Sequence, residues 1–250
     1  QPRAMISSFR NSGLSHLTAV SGQNVAFVLA VFGVYINRAR TWWRLGLTLF
    51  LLMWFVVMTR AEPSVLRAAM MAAMSAVAFA RGRDLSAQKA LLYSVVVLLA
   101  IDPLLILSIG FWMSALATCG LIFVSPRVKQ FLHGPKWIID PLATTLGAQM
   151  GVLPISLMVF SAAPAISLVT NLLAVPVAGF VMLAGLPVAF ICGLLITLIG
   201  PAVSPLCMVA MLPIQCATRW VWWVAVVGER ISPHGMANVL LWAFWSVFLV

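Results

Sequence analysis

Apolar residues run along this chain in long blocks, parted by short polar or proline-marked stretches. The blocks cover 17–36, 45–58, 65–80, 90–101, 107–124, 142–160 and 177–199. A helix needs about 20 apolar residues to cross hydrocarbon, and most of these blocks approach that length. A further run, 206–227, is interrupted by Pro213, Gln215, Thr218 and Arg219, so it either spans or lies in the interface. The run 236–250 reads as a last span. Between 160 and 177 the pattern predicts a break at 161–164, then a short helix over 165–174 that Pro176 ends. The fold predicted is all-α: a polytopic membrane bundle with broken or re-entrant helices and roughly seven to nine embedded segments. One domain is expected over 1–250. The chain starts without a methionine and ends inside an apolar run, the pattern expected of a domain excised from a longer protein.

The breaks carry recognisable chemistry. Pro63 suits the first turn of a helix, where its missing N–H is no loss. Asp102-Pro103 and Ser125-Pro126 are turn and stop signals. Trp42 and Trp43 fit an interfacial belt. Gly147 and Gly151 stand inside a span, where small residues let helices approach closely in lipid.

Composition sharpens the class. Apolar residues make up 63% of the chain and charged residues 8%, against roughly 25% charged in a soluble domain. A water-soluble fold is excluded. The formal charge of +10 has two sources to weigh, a polyanionic partner and the tendency of inner-leaflet loops to collect Lys and Arg. Distribution favours the second for most of it. Arg38, Arg40 and Arg44 follow the first block, Arg81, Arg83 and Lys89 the third, and Arg127, Lys129 and Lys136 the fifth; the intervening loops carry almost none. The basic loops are therefore expected in the cytoplasm, with the N-terminal stretch facing out. Cys119, Cys192, Cys207 and Cys216 lie in apolar sequence without ligand spacing, so no disulfide, metal or cofactor is expected. No triad, phosphate loop or carboxylate pair is present, and no catalytic residue is assigned.

The densest polar stretch is 12–24. It holds Ser12, Ser15, His16, Ser21, Gln23 and Asn24, and it runs straight into apolar sequence. Polar side chains in hydrocarbon cost free energy unless they find partners or line a wet cavity. On a continuous helix Ser12, His16 and Gln23 share a face. Two readings follow: a polar lining at an outward mouth, or structural hydrogen bonds between helices. Arg67 lies about 6 Å inside its span at 1.5 Å per residue, so it either snorkels to the interface or faces a wet interior. Glu62 is a possible partner. Gln149, mid-span, and Asn171, in the short helix before Pro176, are further pathway candidates.

The stretch from Ser12 to Gly22 resembles the opening motif of the competence domain of the ComEC family. Leu66-Arg67-Ala68-Ala69, Asp102-Pro103-Leu104, the block Gly110 to Gly120, and Asn171 to Pro176 are similar to later family motifs, in order. Asn24 stands where many members carry histidine. The resemblance implies an inner-membrane channel for single-stranded DNA in natural transformation. Its implied partners are the strand, the bilayer, other competence proteins and a second copy in a homo-oligomer. A transporter or flippase for another anion, and a structural membrane scaffold, are the alternatives that the residues alone leave open.

Overall fold

The computed structural model describes residues 8–9, 12–14, 17, 22–36, 38, 40–160 and 166–232. Among them there is no strand. Ten helices follow in order: α1 (Gly22–Ile36), α2 (Thr41–Met58), α3 (Pro63–Ala80), α4 (Ala87–Ile101), α5 (Ile109–Phe123), α6 (Ser125–Phe131), α7 (Lys136–Phe160), α8 (Ser167–Phe180), α9 (Leu186–Ile199) and α10 (Ser204–Ile231). Helix starts follow local chemistry. Pro63 occupies the first turn of α3. The Ser86 hydroxyl accepts from the Lys89 N–H at α4, and that of Ser108 from the Phe111 N–H at α5. The Asp102 carboxylate accepts from the Leu104 N–H and starts a 3₁₀ turn, Pro103–Leu107. These caps satisfy N–H groups that have no partner within the helix.

Five helical runs are long and apolar enough to cross a membrane, or six if the pair α5 and α6, bent by 40°, is one span. That is somewhat fewer than the seven to nine segments expected. Part of the difference is mergers. The expected short helix over 165–174 does not stop at Pro176: α8 passes through it, continues as one π turn (Val181–Gly185) and becomes α9, a run of 33 residues. Pro213 likewise sits inside the unbroken α10. A proline removes one helical hydrogen bond, and membrane helices accommodate that by local π or 3₁₀ adjustment. Two other apolar helices, α1 and α4, are 15 residues each and fall short of the length needed. The expected span 236–250 lies outside the described residues.

Short connections make successive helices antiparallel. The turns after α1, α3 and α5 therefore share one end of the bundle, here the basic end. Arg38, Arg40, Arg81, Arg83, Lys89, Arg127, Lys129 and Lys136 are exposed there. Lys129 pairs with Asp140 at 2.8 Å. The opposite end, here the distal end, carries the turns after α2 and α4 and the C-terminal end of α7. The exterior is apolar: Phe50, Met53, Trp54, Phe190 and Leu198 are all exposed, as expected of a surface that meets lipid. Trp42 and Trp43 are 70% and 73% exposed at one helix end, consistent with an interfacial belt.

Inside, α5 and α7 meet backbone to backbone. A methyl on Gly120 would strike the Gly147 carbonyl oxygen, and one on Gly151 would strike the Leu116 carbonyl oxygen. Between lipid-solvated helices such close packing replaces the hydrophobic effect as the source of association.

Candidate functional site

Two polar clusters occupy the distal half, and the 12–24 stretch touches both. The first is built on α8. Ser167, Thr170, Asn171 and Ala174 recur at i, i+3, i+4 and i+7, so they share one face. All four are buried. Against that face lies the turn Ser12–Gly13. Ser12 is fully buried; its hydroxyl donates to the Phe9 carbonyl, and its own carbonyl accepts from the Thr170 hydroxyl at 2.8 Å. Gly13 has φ +77°, and a methyl there would run into the Ser167 Cβ. Only glycine fits both demands. Gly228 of α10 closes the other side, where a Cβ would lie 2.6 Å from the Thr170 methyl and 3.0 Å from the Ser12 Cβ. Phe9, Leu14, Ala174, Val221, Val224 and Ala225 form the apolar cluster that seats this turn between α8 and α10. Next to Gly228, the Glu229 carboxylate accepts from the Ser8 hydroxyl.

From α7, Gln149 reaches into the same cluster and donates to the Ser167 hydroxyl at 2.6 Å. Its carbonyl oxygen and that of Asn171 are buried without a hydrogen-bond partner. Asn171 is only 6% exposed. A buried acceptor left unmade costs about 1–3 kcal/mol, so these two oxygens are held at a stability cost. Asn171→Leu removes the unpaired oxygen and keeps the number and branching of the side-chain heavy atoms. It is expected to keep or raise the unfolding midpoint in detergent, because it relieves part of that cost. A lowered midpoint would mark Asn171 as a packing residue instead.

The second cluster surrounds Arg67 on α3. Its side chain does not snorkel outward: Arg67 is 6% exposed. Nε donates to the Ser114 hydroxyl of α5 at 2.9 Å, and Nη1 approaches the Met71 sulfur at 3.1 Å. Among the described residues no ion pair joins it to Glu62 or to any other carboxylate. Gly22, at the start of α1, lies against the same side chain; a Cβ there would be 3.3 Å from Nη2 and 2.9 Å from the Ala68 Cβ. Beside the guanidinium a cavity of about 390 Å³ is lined by Arg67, Met71, Ser75, Leu85, Ala87 and Thr118, among others.

The expected site residues are thus distributed unevenly. Ser12, Gln149 and Asn171 come together in the first cluster, and Arg67 heads the second. Gln23 is exposed and Asn24 half-buried at the start of α1, beside the second cluster. The continuous helix that would put Ser12 and Gln23 on one face is interrupted at Gly13, which lies in a turn with φ +77°. Ser15, His16 and Ser21 lie outside the described residues. Sequence reasoning missed Ser114, Ser167 and Thr170. The last two were within reach, since Ser167 stands one helical turn before Asn171 and Thr170 directly precedes it.

The chain matches a family model described as "Competence protein" over residues 2–250. It is 33% identical over 185 residues to ComE operon protein 3 of Bacillus subtilis (strain 168), covering 72% of this chain and 23% of that protein. It is 25% identical over 197 residues to the protein YcaI of Escherichia coli (strain K12), covering 72% of this chain and 26% of that protein. The chain thus spans about a quarter of the length of the curated relatives it matches. No solved structure matches it.

Proposed function

The chain belongs to the Competence protein family, and from that premise we propose that it is the membrane part of a conduit that takes up single-stranded DNA in competence. One observation carries this reading: a polar interior inside an apolar bundle. Ser12, Asn171 and Arg67 are all less than a tenth exposed, and none is needed to anchor the chain in lipid. Intramembrane polar and charged groups are costly and mark routes for polar cargo. The cargo that fits a buried cation without a carboxylate partner is an anion. A single strand presents one phosphate per nucleotide, and nonspecific grip on it is chiefly electrostatic.

In this reading the basic end faces the cytoplasm of a cell with an inner membrane, an orientation that the bias of Lys and Arg supports. The distal end, with the Ser12–Gly13 turn, receives the strand. The domain passes the strand without cutting it, and it acts alongside other competence proteins. The test is a transformable host whose own uptake channel is deleted and replaced by the full-length parent of this chain, with protein level checked by blot. Restored transformation is the expected result. A well-expressed protein that restores none, while the host's own channel on the same vector does, overturns the reading and favours a carrier of another anion.

A further inference from the structure

We propose that the cavity headed by Arg67 is a phosphodiester site that is reached from the basic end of the bundle and grips the strand without reading its bases. This rests on the conduit reading and assigns it a contact point. The argument begins with charge. A guanidinium withdrawn from water needs a compensating anion. Among the described residues, the side-chain groups that meet its nitrogens are a serine hydroxyl and a thioether, both neutral. Its planar fork of donors matches phosphate oxygens.

Access comes from the arrangement of α3, α4 and α5. At the distal end these helices are sealed by Leu98, Leu105 and Phe111, packed with Leu66, Met70 and Trp112. The cavity lies on the other side of Arg67. It follows α3 from Arg67 past Met71 to Ser75 and ends at Leu85 and Ala87, beside the loop that carries Arg81, Arg83 and Lys89. The rise from residue 67 to residue 75 is about 12 Å at 1.5 Å per residue. Arg67 is therefore the closed head of a groove facing the basic loops, although its sequence position is near the opposite end of α3.

The lining also selects the ligand. It has no carboxylate and no aromatic ring, so nothing holds the ammonium of a zwitterionic lipid headgroup. It has no amide or acid side chain, so nothing reads a Watson–Crick edge. The Thr118 hydroxyl is already committed to the Ser114 carbonyl. What remains is one buried cation at the head of a mostly apolar groove that ends beside the basic loop, which suits a phosphodiester and is indifferent to sequence.

The test uses the full-length parent protein in phosphatidylcholine nanodiscs. The probes are a fluorescent oligothymidylate of about 16 nucleotides, the upper end of single-strand site sizes, and an abasic strand of the same length. Both should bind wild type with similar affinity. Arg67→Gln should weaken both about tenfold or more and lower the slope of log affinity on log salt by about 0.7, the share of one phosphate contact. Arg67→Lys should fall between them. Thr118→Leu fills the groove and leaves Arg67 in place, so it should weaken binding too; it decides the matter if Arg67→Gln does not fold. Wild-type affinity and slope in folded Arg67→Gln, or wild-type affinity in Thr118→Leu where Arg67→Gln does not fold, overturn the proposal. So does loss of the Arg67-dependent part of binding on adding phosphatidylglycerol, which would make the groove an anionic-lipid site. Wild type that binds no strand at all fails the conduit reading itself; wild type that binds while Arg67→Gln binds equally fails only this site.

Discussion

Gly120→Ala is expected to destabilise the folded protein strongly. The added methyl is aimed at the Gly147 carbonyl oxygen, with the Gly151 backbone nitrogen at 3.1 Å. Those are backbone atoms, so no rotamer change relieves the clash. Either α5 and α7 separate along their whole contact or one of them bends. Overpacking a well-packed core costs about 1–3 kcal/mol and occasionally more, and a backbone clash between two long helices belongs at the upper end. The readouts are the yield of monodisperse protein in detergent and its unfolding midpoint. The controls are Gly46→Ala in α2 and Gly193→Ala in α9. A Cβ at either meets nothing within 4 Å, so each should be neutral, or stabilising by about 0.5–1 kcal/mol from helix propensity. If Gly120→Ala purifies and melts like these two, α5 and α7 do not approach as closely as described.

Much of the architecture could be read from spacing alone, because membrane helices announce themselves by length and their ends by chemistry. Pro63, Ser86, Asp102 and Ser108 all stand at helix starts, where their side chains or missing N–H favour that position. The basic residues fell at one end for the reason that charge bias predicts. Pro176 and Pro213 misled, because a proline ring stops a helix only where the freed carbonyl cannot be accommodated. Both are exposed on the outer face of their helices, and the chain runs through them. Arg67 illustrates a different limit. Its depth in α3 was legible, but its direction depends on Ser114, a residue 47 positions away that α5 brings alongside. Gln149 and Asn171 were legible as two separate candidates. That Ser167 links Gln149 to the helix of Asn171 is a consequence of α7 folding back on α8, which no local pattern encodes.

Gly13→Ala should reduce uptake far more than it reduces the amount of protein, and Ser167→Gly should restore part of what it removes. Two separate penalties act at Gly13. Its φ of +77° is in the left-handed region, where a Cβ costs roughly 1–2 kcal/mol. The Cβ would also collide with that of Ser167, with the Ser167 Cα at 3.2 Å. The worst collision is between one side-chain atom on each segment, so deleting the Ser167 side chain removes it and leaves the backbone strain and the 3.2 Å approach to the Ser167 Cα. Ser167→Gly alone loses the acceptor for Gln149 Nε2 and should itself lower uptake. The double variant should nevertheless exceed Gly13→Ala, giving a coupling of about 1–2 kcal/mol in the cycle, within the range for residues in contact. The displaced element would be the Ser12–Gly13 turn. Its movement would also break the Thr170–Ser12 hydrogen bond and expose the face of α8 that holds Asn171. Protein level and uptake are measured for all four chains in the replacement host. Additive losses, with no recovery in the double variant, would mean that Gly13 is required for its backbone angle alone and that the turn does not rest on Ser167.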